Sequence, residues 1–186
     1  MTTQPLSLLP HPASPLWHGV SVQVQAERTD AGLRLSYSVR APARHLRLPD
    51  AAPPGFADHL WQHTCLEAFV ARPGETHYRE FNFSPSGQYA EYHFSEERVG
   101  VDPTPKPLAP ALHWTFTEEQ VDLVAQVTLS GLAVGHQDLL IGLSAVLEGA
   151  NGQLTYWALG HPKNRPDFHD RKGWSLRLPH LTTSSC

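Results

Sequence analysis

Three stretches of the chain set aromatic rings beside hydrogen-bonding side chains at close spacing. They are Trp61 with His63 and Glu67, Tyr78 with Glu80 and Asn82, and Tyr156 and Trp157 leading into His161. A sugar is held by stacking its C–H-rich face on a Trp or Tyr ring, while Asn, Glu and His exchange hydrogen bonds with its hydroxyls. A purely apolar core has no use for such polar groups. The structural alternative is that the Trp residues pack the core, as large rings in small domains do.

Other chemistries have fewer supports. His63 and Cys65 lie two apart, and His161 and His169 flank Asp167 in one loop, so a metal-assisted hydrolase using these four ligands is the rival reading. Glu67, Glu80, Glu148 and Asp167 supply carboxylates for glycoside hydrolysis, which needs two of them facing at a set distance. There is no P-loop, no Rossmann glycine pattern, no His-Glu-x-x-His and no Cys-x-x-Cys. The run around Ser144 lacks the second Gly of a nucleophile elbow.

Composition narrows the class. Charged residues are 17% of the 186 against roughly 25% in a typical domain, and 17 Pro and 13 Gly interrupt regular structure. That excludes coiled coils and long solvated helices. The net charge is −4, and the longest basic run is Arg171-Lys172, so no nucleic-acid partner is expected. No apolar run approaches a membrane span, and the first residues lack the basic start of a secretory signal. With Cys186 on a polar tail and Cys65 in an apolar segment, no disulfide is expected, and the reading is a reduced cytoplasmic protein.

The elements that must position these residues are strands. Residues 1–16 read as an irregular, Pro-rich lead-in, 17–178 as one domain and 179–186 as a tail. Alternation of Val20, Val22, Val24 and Ala26, then of Leu33, Leu35, Tyr37 and Val39, predicts a hairpin over 20–40. Residues 76–83 and 88–94 flank Ser84-Pro85-Ser86-Gly87, a type I turn signature. Residues 121–129 alternate most cleanly, and 139–147 are apolar on both faces. The stretch 57–70 is ambiguous, leaning slightly to helix on the spacing of Trp61, Cys65, Ala68 and Phe69. The four-proline segment 100–110 reads as a loop, and 174–178 as a last strand. Nine or ten strands joined by hairpins and Pro/Gly loops predict an all-β, antiparallel β-sandwich.

The segment Leu60-Trp61-Gln62-His63-Thr64-Cys65-Leu66-Glu67-Ala68-Phe69 resembles the opening motif of bacterial DOMON-like proteins, which are related to family 9 carbohydrate-binding modules. Tyr78-Arg79-Glu80-Phe81-Asn82-Phe83-Ser84-Pro85-Ser86-Gly87, Ser144-Ala145-Val146-Leu147-Glu148, Tyr156-Trp157-Ala158-Leu159-Gly160-His161-Pro162 and Pro166-Asp167-Phe168-His169 resemble the later motifs, in order, over roughly 17–178. The resemblance implies a jelly-roll or immunoglobulin-like sandwich of about ten strands, and a strand rather than a helix over 64–70. It also implies a ligand: members of the wider superfamily bind sugars or haem, and family 9 modules hold structural calcium. Haem is disfavoured here, since the only Met is Met1 and no axial pair stands out. Calcium would fall to Asp167 and Asp170.

The reading is a non-enzymatic, carbohydrate-binding-like module for a sugar or small polar ligand, with no cofactor required. Trp61 and Trp157 would stack, and Glu67, Glu80, Asn82 and His161 would hydrogen-bond. His63 and Tyr156 stand beside them, and Asp167 and His169 would order the rim. The third reading is a structural or haem-binding DOMON-type module whose polar residues satisfy buried backbone groups. Composition leaves the oligomeric state open.

Overall fold

Alternation with period two builds nearly all of the architecture. A computed structural model describes residues 2–15, 17–42, 45–101, 108–130 and 137–181. Among these lie fourteen strands. The first half contains β1 (Leu6–Pro10), β2 (Ser21–Arg28), β3 (Gly32–Arg40), β4 (Leu46–Arg47), β5 (Gly55–Phe56), β6 (Cys65–Ala71) and β7 (Tyr78–Phe83). The second contains β8 (Gln88–Glu96), β9 (Val99–Gly100), β10 (Ala111–Phe116), β11 (Gln120–Thr128), β12 (Leu139–Gly149), β13 (Leu154–Ala158) and β14 (Leu176–Leu178). The only helical pieces among the described residues are the 3-10 turns Leu60–Gln62 and Arg171–Gly173.

The strands form one continuous sheet in the order β10-β11-β3-β2-β1-β13-β12-β6-β7-β8-β5, curled so that two layers face each other. Every pair is antiparallel except β5 with β8. The back layer is β10, β11, β3 and β2; the front layer is β13, β12, β6, β7, β8 and β5, with β4 and β14 on β12 and β9 on β8. The inward positions of both layers meet in a single core. Val24, Leu35 and Leu123 come from the back, and Leu66, Phe81, Phe83 and Leu143 from the front. Burying each such side chain stabilises by about 1.5–3 kcal/mol. Tyr37 reaches across this core from β3 and donates its hydroxyl to the Glu67 backbone carbonyl at 2.6 Å, fixing β6 from behind.

The hairpins over 20–40 and 76–94 form as predicted. Gly87 N–H closes the second turn onto Ser84 O at 3.0 Å, and its φ of 93° is one that a side chain would oppose. The slight helical lean over 57–70 is corrected. The turn Leu60–Gln62 is its only helical piece, and from Cys65 on the segment is β6, as the resemblance implies, because both faces of that strand are buried and pairing on both sides satisfies its backbone. Residues 6–10, read as part of an irregular lead-in, are also a strand. Pro-rich flanks concealed it, but Leu8 is core and the strand pairs with β2 and then with β13. The count exceeds ten because β1, β4, β5 and β9 are too short to show a period. Residues 102–107 of the predicted loop and 182–186 of the tail, with Cys186, lie outside the described residues. Among the described residues no helix is long and apolar enough to cross a membrane.

Candidate functional site

The outward side of the front layer carries the chemistry. Cross-strand register sets Ser144, Glu67 and Asn82 in one row across β12, β6 and β7. The next row holds Gly142, Phe69, Glu80 and Tyr92. Side chains in such rows share a face and lie close enough to interact directly or on the diagonal. Over them opens a cleft of about 450 Å³, lined by these carboxylates and by Trp61, Phe69, Tyr92, Phe94, Tyr156 and Phe168.

The floor is polar and almost dry. Glu67 is 2% exposed, Glu80 6% and Asn82 0%. Asn82 Nδ2 donates to Glu80 Oε1 at 2.8 Å, and Ser144 Oγ donates to Glu67 Oε2 at 3.3 Å. Glu67 Oε1 and Asn82 Oδ1 have no partner in the structure. Burial, and then the neighbouring Glu80 charge, hold the Glu67 carboxyl well above the usual range. Burial likewise pushes Glu80 up to about 7, against the pull of its Asn82 hydrogen bond and of Arg98. With both carboxyls raised and no described cation paired with either, the floor favours their protonated forms over two full charges.

His169 joins this floor to the loop above it. Its Nδ1 lies 2.6 Å from the Tyr78 hydroxyl, and its Nε2 lies 3.6 Å from Glu80 Oε2. Burial, followed by the Arg98 charge, lowers His169 to about 4, so the ring is neutral near pH 7. The Tyr78 hydroxyl accepts the Arg98 backbone N–H at 3.0 Å and donates to Nδ1, which leaves the ring's own proton on Nε2, facing Glu80. Tyr78 is itself raised to about 12, first by burial.

The rim is fixed by charge. Asp167 accepts from Arg98 Nη2 at one oxygen and from Lys163 Nζ at the other, both at 2.7 Å, and the His169 N–H adds a third donor. These donors hold Asp167 below the usual carboxylate range, outweighing its burial. The loop over 160–172 is thereby tied to the β8–β9 turn. Trp174 packs behind it on Gly142, where a Cβ would sit 2.4 Å from the indole, and donates to Phe168 O at 2.7 Å. His59 and Arg98 are the only described non-glycine residues with positive φ, both 61°, and both line the cleft. Left-handed backbone at such residues costs about 1 kcal/mol or more and is concentrated where function needs it.

The structure brings together seven of the residues singled out from sequence. Trp61, Glu67, Glu80, Tyr156, Asp167 and His169 line the cleft, and Asn82 lies directly beneath it. Three others sit elsewhere. Trp157 is 6% exposed in the core, its Nε1 donating to Thr155 Oγ1, because strand alternation turns it away from its neighbour Tyr156. His63 pairs with Glu148 at 2.8 Å beyond the cleft, alongside Arg47. His161 contacts Leu9 O at 2.8 Å and the edge of His11. His63, Cys65, His161 and His169 therefore do not meet, and no group of three or more His, Cys, Asp or Glu among the described residues is arranged to hold a metal ion. Both Asp167 oxygens already accept from cations, which leaves them poor calcium ligands.

Arg98, Tyr92, His59, Phe94 and Phe168 line the cleft without having stood out in the sequence. The period-two rule could have found Tyr92 and Phe94, which share a face on β8. Nothing local marks Arg98, whose role comes from a contact with Asp167 made across the fold.

No protein-family model and no curated protein matches this chain. Solved structures do. A family 9 carbohydrate-binding module from Caldicellulosiruptor kristjanssonii, in complex with cellotriose, aligns at TM-score 0.62 and 8% identity over 96% of this chain and 84% of that one. The complex of such a module with glucose aligns at 0.58 and 8% identity, over 97% and 87%. A candidate carbohydrate-binding protein from Bacteroides uniformis aligns at 0.61 and 16% identity, over 91% and 84%. The chain shares its fold with family 9 carbohydrate-binding modules.

Proposed function

We propose that this protein is a non-enzymatic carbohydrate-binding module of the jelly-roll type, with DOMON-like affinities, and that its ligand lies in the cleft over β6, β7 and β12. The observation that carries this reading is Trp61. Its indole is 46% exposed at the mouth of a cleft whose floor is buried and polar. Leaving so large a ring in water forgoes the gain from its burial, and stacking a sugar face recovers it. Beneath the ring, Glu80, Asn82 and His169 present the hydrogen-bonding groups that hydroxyls require. The family 9 modules of the same fold, solved with cellotriose and glucose, support the ligand class.

Calorimetric titration with glucose and cello-oligosaccharides tests the reading. Binding is expected at about millimolar ligand or below, and Trp61→Ala should weaken it by about tenfold or more without lowering the melting temperature. No heat from any sugar, in a protein whose circular dichroism shows it folded, would overturn it.

A further inference from the structure

The cleft holds more carboxyl groups than it has cations to pair with them. Arg98 and Lys163 both pair with Asp167, and Arg98 acts on Glu80 only through space. His169, the one titratable base touching Glu80, is neutral near pH 7. Asp58 accepts from the Tyr92 hydroxyl and faces no described cation. Among the described residues Glu67 and Glu80 are thus left with only Ser144 and Asn82 as donors closer than His169, and Glu67 Oε1 is buried without any. The walls add to the imbalance, because an aromatic ring turns negative charge density toward whatever lies on its face.

A neutral sugar hydroxyl can give one hydrogen bond to such a floor, but it brings no charge against which the carboxyls could ionise. A protonated amine supplies three donors and the missing positive charge. We propose, resting on the sugar-binding reading above, that the preferred ligand is an amino sugar whose ammonium group sits against Glu80 and Glu67 while its ring stacks on Trp61. The ammonium takes over the stabilising role of the carboxyl protons, and one proton leaves to solvent for each carboxyl that ionises on binding. N-acetylation removes the charge and with it the preference.

The test compares three trimers that differ at one ring position: β-1,4-linked glucosamine, its N-acetylated form, and cellotriose. Each is titrated calorimetrically into the full chain and into Glu80→Gln at pH 6, in about 0.15 M salt to suppress unspecific attraction. The glucosamine trimer should bind at least about tenfold more tightly than either neutral trimer. Glu80→Gln should abolish that margin, the glucosamine trimer losing at least about tenfold more affinity than cellotriose loses to the same substitution. Should Glu80→Gln fail to fold, Glu67→Gln serves as the second variant, with the same expectation. Cellotriose binding as tightly as the amino trimer, or a margin that survives the variant, overturns the amino-sugar assignment and leaves the carbohydrate reading standing. Binding of none of the three overturns both.

Discussion

The outer faces of the two layers share one alternation and come to opposite ends. On the back layer, Gln23, Gln25, Ser36, Ser38, Asp122 and Val124 point outward and stay half-buried or exposed. On the front layer the outward Glu67, Phe69, Glu80, Asn82 and Ser144 are all buried, and β6 has no exposed residue. The difference does not lie in the strands. It lies in what is laid over them: the loop over 160–172, the Trp174 indole and the Arg98 turn. Cover converts an ordinary wet sheet face into a second, mixed interior, and it raises the energy of every polar group caught beneath.

The sharpest way to break this comparison is to cut matched holes in the two faces. Phe69→Ala should cost about 3–5 kcal/mol by urea denaturation, as for a core phenylalanine, since its ring packs on Trp174, Tyr78 and His169. A cost near that of a surface substitution would mean that the cover contributes nothing. Next in size, Gly142→Ala should cost about 1–3 kcal/mol by forcing the indole off the sheet, with a matching shift in tryptophan emission.

Titration gives a smaller and more specific signature. Glu67 and Glu80 are raised, so the folded state binds more protons than the unfolded chain from about pH 4.5 through 7, and stability falls as pH rises through that window. His169 is lowered to about 4, so it acts oppositely, destabilising the fold as pH falls from 6.5 toward 4. The two effects offset each other below pH 6.5, and only the glutamates act above it. Between pH 6.5 and 7.5 the unfolding free energy from urea titration should therefore drop, by under ~1 kcal/mol for Glu80. Glu80→Gln should shrink that drop, leaving only Glu67 to oppose His169 below pH 6.5. An unchanged pH profile would mean that Glu80 titrates as it does in water. Smallest of all, Val124→Ala on the back face should stay within about 0.5 kcal/mol of the parent.

The same contrast explains what could be read in advance. Strands β2, β3, β7 and β11 were legible because each carries several alternations and an apolar face that only burial satisfies. The polar set of Glu67, Glu80 and Asn82 was legible for the converse reason, standing where an apolar core has no need of it. What failed was long-range. Ser36 and Ser38 read much like Glu80 and Asn82 along the chain, and only distant segments decide which pair is covered. Tyr156 and Trp157 were both proposed as ligand contacts, although adjacent strand residues must face opposite ways, and the core took the larger ring. His161 and His63 carried the right chemistry but were captured by Leu9 and Glu148, partners far away in sequence.

Strand β1 joins the two layers by pairing through Leu6–Leu8 with β2 and through Leu9 and Pro10 with β13. Its first partner is made a few residues later, whereas its second comes near the end of the described chain. A seam closed between such distant segments carries a large loop-closure cost and must form late in folding. During synthesis the edges of β2 and β13 meant for this strand cannot both be covered until the last strands emerge, which makes the interval before closure the time when stray strand pairing threatens the chain most.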